Sequence, residues 1–195
     1  MAYLFKYYAR IYDRFMRRFK LDSNEVLLES LGELKGKRIL DLGGGTGTLA
    51  DKLQHMGGDV TLIDPQKEMT AIAKEKNAYL TIYNETLEEV LQHNEVAPFD
   101  IVVIRDALHH ISNQQEIIRQ VALCLTEEGI LVISEFNIRH IKAMCIWCFE
   151  TLCFERCHMF TMESLLNLCS PYFKNQEIRP ISAFEMLYKG EKKNV

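Results

Sequence analysis

No uncharged run in these 195 residues approaches the ~18 needed to span a bilayer. The start also lacks the apolar stretch and small-residue cleavage site of an export signal. Neither membrane insertion nor secretion is expected, and the chain reads as cytoplasmic. A basic excess is missing too: 23 Lys and Arg stand against 27 Asp and Glu, a formal charge of −4. Without a broad cationic surface to displace counterions from phosphates, general affinity for nucleic acid is not expected. There is no internal repeat, linker or low-complexity tract, so a single domain over residues 1–195 is expected, with only the polar tail GEKKNV loose.

Paired Cys-x-x-Cys knuckles are absent as well. Of the six cysteines, Cys145, Cys148, Cys153 and Cys157 fall close together, yet at 100° per residue they spread over a wide arc of a helix. They could form a thiolate metal site with His158 as an extra ligand, or simply be small buried hydrophobes. Lacking the knuckles, the second reading is preferred and no metal is expected.

What the chain does have is alternation. The runs RILDL, DVTLID, YLTIY, FDIVVI and GILVISEF are apolar and β-branched and read as buried strands, with helices between them at about 47–56, 66–76, 86–93 and 113–125. The last helix is expected to open on Ser112 as N-cap. Strands alternating with helices give an α/β, doubly wound, Rossmann-like and mostly parallel sheet with helices on both faces. Two final strands, NQEIRPI and FEMLYKG, are split by Ser182 and Ala183 and read as an antiparallel hairpin, making seven strands with the last antiparallel.

The stretch ILDLGGGTGTLA places a glycine-rich loop straight after the first strand. Gly43, Gly45 and Gly47 follow a G-x-G-x-G spacing, whereas a dinucleotide fingerprint needs its third glycine where Thr48 stands. No Gly-Lys-Ser or Gly-Lys-Thr follows, which excludes a phosphate loop. Asp41 would repel a pyrophosphate and attract an ammonium group. Asp64, with Pro65, closes the next strand 23 residues further on, where a carboxylate can accept both hydroxyls of a ribose. Glu85 follows the third strand and could meet an exocyclic amine. Each acid alone reads as readily as a helix cap or solvated strand end. Together they describe a nucleoside with a positively charged tail.

These segments resemble the class I S-adenosylmethionine-dependent methyltransferases, nearest the small type 11 branch of ubiquinone and menaquinone synthesis. ILDLGGGTGTLA, VTLIDPQKEM, FDIVVIRDALHHI and GILVISEF are similar to that family's motifs in order over roughly residues 38–136, and IYDRFM resembles its N-terminal Tyr-Asp segment. The resemblance implies that the glycine loop runs under the methionine part, the acid after the second strand holds the ribose, and the acid after the third meets adenine. Glu85 stands where the family more usually has aspartate. The cofactor site expected for S-adenosylmethionine, with S-adenosylhomocysteine as product, is Tyr12, Asp41, Gly43, Gly44, Gly45, Gly47, Asp64, Pro65, Glu85, Thr86, Arg105 and Asp106.

A sulfonium methyl is already activated, so the protein must mainly align the acceptor and exclude water; a hydroxyl acceptor would also need a base. His109, His110, Glu135 and Tyr12 are candidates for it, with the alternative that both histidines are structural. Adjacent histidines are expected to point different ways. Residues 1–30 are expected to form a helical lid, with Phe5, Tyr8, Tyr12, Phe15, Met16 and Phe19 on one face and Lys6, Arg10, Arg14 and Arg18 on another. Peripheral membrane contact through that basic face is the alternative. Residues 37–136 form the expected cofactor core, 137–172 a helical insertion on the substrate side and 174–190 the terminal hairpin. Within the insertion, residues 141–160 are apolar nearly all round, which means burial or a greasy partner.

A small or lipophilic acceptor is expected rather than a nucleic acid, because Arg105-Asp106-Ala107-Leu108 stands where base-amino methylases often carry an Asp-or-Asn-Pro-Pro-aromatic run. A non-catalytic cofactor-binding or membrane-associated regulator, and less readily a dinucleotide-dependent reductase, are the other readings.

Overall fold

A computed structural model of the chain describes residues 24–93, 96, 98–153 and 157–193, with backbone alone over 149–153. Tyr12 and the amphipathic stripe of residues 1–20 lie outside them. Glu25–Leu31, counted above with the lid, forms helix α1 and packs Leu27 and Leu31 into the core.

The strands are β1 (Arg38–Leu42), β2 (Asp59–Ile63), β3 (Thr81–Tyr83), β4 (Phe99–Arg105), β5 (Leu125–Phe136), β6 (Phe173–Pro180) and β7 (Glu185–Lys192). They form one sheet in the order β3-β2-β1-β4-β5-β7-β6. Neighbours from β3 to β5 pair in parallel, and β7 runs antiparallel to both β5 and β6. The expected mostly parallel, doubly wound sheet with its closing hairpin is therefore present. Helices α2 (Thr48–His55), α3 (Lys67–Lys76), α4 (Leu87–His93) and α5 (Gln114–Cys124) make the crossovers, and α6 (Ile141–Cys153) and α7 (Met162–Cys169) lie between β5 and β6.

Strand residues face alternate sides of a sheet. Ile39, Leu62, Val103 and Val132 accordingly join α1, α2 and α3 in one apolar layer, while Leu40, Ile63, Val102, Ile104 and Leu131 join α4, α5 and α7 in the other. Both layers exclude water, which is why the central strands read as continuous apolar runs instead of alternating ones.

Several boundaries differ from expectation, each for a local reason. The tail expected loose from Gly190 instead carries β7 on to Lys192, because Gly190 and Glu191 pair with Leu131 and Ile130 of β5. Helix α5 is capped by Asn113, not Ser112, because the Asn113 side chain accepts the Glu116 N–H. Strand β5 starts at Leu125, four residues before GILVISEF, since Leu125 pairs with Phe99 ahead of a register shift between Phe99 and Ile101.

The crossovers on either side of β1 and β4 run in opposite directions, leaving a crevice at the carboxyl ends of these two strands. In open α/β sheets such a switch point is where ligands sit. Asp41, Asp64, Glu85, Arg105 and Glu135 all stand at that edge.

Candidate functional site

The loop after β1 is shaped by what lies beneath it. A Cβ at Gly43 would stand 2.5 Å from the Ala107 Cβ, one at Gly44 2.7 Å from the Asp41 carboxylate, and one at Gly47 2.7 Å from the Ala73 Cβ on α3. These three glycines let the loop pack closely on its own domain. Gly45 is different: its φ is +53°, and the nearest heavy atom a Cβ would meet is Asp64 Oδ2 at 4.0 Å. Its missing side chain leaves room above the loop.

Asp64 is buried, and both carboxylate oxygens accept backbone N–H groups: Oδ2 from Gly45 at 2.9 Å and Oδ1 from Gln66 at 2.8 Å. Burial pushes its pKa up against those two bonds. One carboxylate thus ties the glycine loop to the end of β2, and Asn84 braces the same corner by donating to the Asp64 carbonyl at 3.0 Å. Lys76, at the end of α3, donates to Thr48 Oγ1 at 2.7 Å and to Thr46 Oγ1 at 3.1 Å. Sequence reading missed Asn84 and Lys76; neither stands in a motif.

Asp41 is 1 % exposed and lies under Gly44, and its Oδ2 has no hydrogen-bond partner among the described residues. Burial pushes its carboxyl up to about 7; the Arg105 charge opposes the rise and Asp64 adds to it. In the unfolded chain the group titrates near 3.8. Between those values the folded state keeps a proton that the unfolded state has lost, so this contribution to stability falls as pH rises through the window. Asp41→Asn is therefore expected to stabilise the ligand-free protein by on the order of 1–3 kcal/mol at pH 8 and by much less at pH 4. Denaturant melts of both proteins at the two pH values check this; a gain independent of pH would contradict it.

Beyond β4, Asp106 adopts φ +48°, a left-handed conformation unusual for a residue with a side chain and often found at functional turns. Its carboxyl is pushed up to about 7 by burial, opposed by Arg105 and reinforced by Glu135 and Glu185. Arg105 Nε stands 3.4 Å from Asp106 Oδ2. On the far side of the crevice Glu85 is half-buried and Pro65 exposed. Thr86 is engaged locally: its hydroxyl accepts the Glu89 N–H while Glu89 accepts the Thr86 N–H, a reciprocal cap on α4.

Leu108–His110 forms a short 3-10 turn behind β4. His109 is buried, with Nδ1 2.7 Å from Glu135 Oε2, and its backbone N–H donates to Glu135 Oε1 at 3.2 Å. The two imidazoles do not diverge as expected, because the tight turn keeps their ring centroids 4.1 Å apart. The segment after α6 packs on this turn. The His158 N–H donates to the His109 carbonyl at 2.8 Å, Gln114 bridges the carbonyls of Leu108 and His158, and Cys157 Sγ stands 3.5 Å from His110 Nδ1.

The cysteine cluster splits. Cys157 is buried as expected, but Cys145 and Cys148 are exposed, because α6 turns that side outward together with Ile141 and Met144. His158 is exposed too. Among the described residues no helix is long and apolar enough to cross a membrane.

A family model described as a methyltransferase domain matches residues 5–172. The ubiquinone biosynthesis O-methyltransferase of Sodalis glossinidius is 32% identical over 119 residues, 58% of this chain and 47% of that protein. The ubiquinone/menaquinone biosynthesis C-methyltransferase UbiE of Shewanella sediminis is 34% identical over 118 residues, 56% of this chain and 47% of that protein. The chain thus spans about half the length of the curated relatives it matches. An S-adenosylmethionine-dependent methyltransferase of Thermotoga maritima shares the fold, with a TM-score of 0.77 at 16% identity over 99% of this chain and 100% of that one. By its family match, its strand order and its glycine loop, the chain belongs to the methyltransferase domain family, in the class I S-adenosylmethionine-dependent group.

Proposed function

We propose that the chain transfers a methyl group from S-adenosylmethionine to a small or lipophilic acceptor by in-line displacement. When bound, the cofactor supplies a sulfonium methyl whose S–CH₃ bond breaks as the acceptor–methyl bond forms, leaving S-adenosylhomocysteine. The observation that carries the reading is the opening above Gly45 beside Asp64: the one loop glycine whose side chain is not excluded by packing adjoins a buried carboxylate.

In this reading Asp64 accepts the ribose hydroxyls through lone pairs not used by Gly45 and Gln66. Glu85, half-buried beyond β3, faces the adenine end. Asp41 supplies the negative field for the ammonium and sulfonium end, since a cation nearby favours ionisation of a carboxyl that burial holds partly protonated. Arg105 and Asp106 shape the wall at β4. His109 and Glu135, sealed from solvent, hold that wall and its turn in place. The names of the relatives, one an O-methyltransferase and one a C-methyltransferase of quinone synthesis, favour a lipophilic acceptor, and the outward apolar residues of α6 agree with that.

Calorimetric titration with S-adenosylmethionine, S-adenosylhomocysteine and NADH tests the cofactor assignment: the first two should bind and NADH should not. Methyl turnover with hydroxylated aromatic acceptors then separates an enzyme from a non-catalytic binder.

Gly45→Val supplies a sharper check. The fold should survive, at a cost of about 1–2 kcal/mol for a side chain in the left-handed region. Binding of S-adenosylhomocysteine should be lost, because the side chain fills the opening. Wild-type affinity in this variant would move the ligand away from the loop.

A further inference from the structure

We propose that His109, His110 and Cys157 hold a divalent metal ion of the zinc class, next to the cofactor crevice and separate from the residues assigned to the cofactor. One ring nitrogen of each histidine and the Cys157 sulfur lie within 4.8 Å of one another. Cys157 Sγ and His110 Nδ1 are 3.5 Å apart. Two ligand atoms at about 2.1 and 2.3 Å from one tetrahedral ion stand about 3.5 Å apart, so this edge already has coordination length. Spacings up to 4.8 Å must close by about 1 Å, a shift that small side-chain rotations supply.

Three further features favour a metal over a chance meeting of side chains. Glu135 Oε2 lies 2.7 Å from His109 Nδ1; with Nε2 as the ligand this gives the carboxylate–histidine–metal arrangement that fixes ring orientation in metal sites. Cys157 and His109 are buried, so a thiolate there is shielded from solvent and oxidants. The backbone around the cluster is held before any ion arrives: the His158 N–H donates to the His109 carbonyl, and Trp147 Nε1 donates to the Cys157 carbonyl at 3.0 Å. Two imidazoles and one thiolate select zinc-like borderline ions over magnesium or calcium. Binding deprotonates the Cys157 thiol and releases that proton to solvent. With three protein ligands, the fourth position is open to water. The ion would staple the segment between α6 and α7 to the turn after β4.

The test uses the full chain, stripped with a chelator and titrated with Co²⁺. One equivalent should bind, with a thiolate-to-cobalt charge-transfer band and the visible intensity of a tetrahedral site, and Zn²⁺ should displace it. Cys157→Ser should abolish the charge-transfer band, whereas Cys145→Ser combined with Cys148→Ser should leave it intact. Glu135→Gln should keep the band while weakening affinity about 10–100-fold. If Cys157→Ser fails to fold, His110→Asn makes the same test at a half-buried position: the band persists and affinity drops at least tenfold. No charge-transfer band in the folded wild type would overturn the proposal. So would a band unchanged in Cys157→Ser, one lost in the Cys145/Cys148 variant, or undiminished affinity in His110→Asn. All these readouts are metal binding, so they stand or fall independently of methyl transfer.

Discussion

Glu135→Ala is expected to destabilise the fold by about 3–5 kcal/mol, because two buried hydrogen bonds to a carboxylate are lost at once, each worth about 1.5–3 kcal/mol. The side chain is 0 % exposed and accepts two hydrogen bonds from one residue, the backbone N–H and the ring of His109. Truncation strips both acceptors from a buried turn and leaves a cavity between β5 and the turn after β4. Glu135→Gln keeps an acceptor oxygen and should cost far less, about 1 kcal/mol. Denaturant melts of the three proteins decide the matter. A loss below about 1 kcal/mol for the alanine variant would mean that the turn is held by its neighbours, and the positioning role given to Glu135 would go.

Glu135 also shows where sequence reading reaches its limit. As the residue closing an apolar strand it stands out as an acid at the ligand edge, and so reads as a candidate base. What the sequence does not show is its burial and its pairing with His109, which depend on the turn after β4 folding back over β5. Strands, helices and their parallel order are legible because each is written in a local period: a run such as DIVVI can only be buried on both faces. The glycine loop and Asp64 are legible for a similar reason, since consecutive residues make the turn. Helix caps are decided by one hydrogen bond, so a sequence offering both Ser112 and Asn113 does not reveal that Asn113 accepts from Glu116.

Contacts across the chain are invisible in sequence. His110 and Cys157 are 47 residues apart and meet only because the segment after α6 returns to the β4 turn. The sequence reads Cys145, Cys148 and Cys157 alike as small buried hydrophobes, but the helix turns Cys145 and Cys148 outward and only Cys157, beyond it, is inside. Asp41 is the intermediate case. Its place at the end of β1 is legible, its burial beneath Gly44 is not, and that burial converts a simple ion-pair argument into one about desolvation.

Asp64→Ala should weaken S-adenosylhomocysteine binding by about 1.5–3 kcal/mol, roughly 10–150-fold, for loss of hydrogen bonds to a charged acceptor. Two effects combine in that figure. One is the direct bond to the ribose; the other is the loop, because the same carboxylate accepts the Gly45 N–H and holds the backbone at the opening. An analogue of S-adenosylhomocysteine lacking the ribose 2′-hydroxyl separates them in a double-mutant cycle. If Asp64 bonds that hydroxyl, the analogue loses affinity against the wild type but little more against Asp64→Ala. If Asp64 only orders the loop, the two losses add in full. Asp64→Asn is a less clean probe, since its amide oxygen can accept from Gly45 but its NH₂ group then faces the Gln66 N–H as well as the ribose. Equal affinity of wild type and Asp64→Ala, with both folded, would take the ribose away from the end of β2.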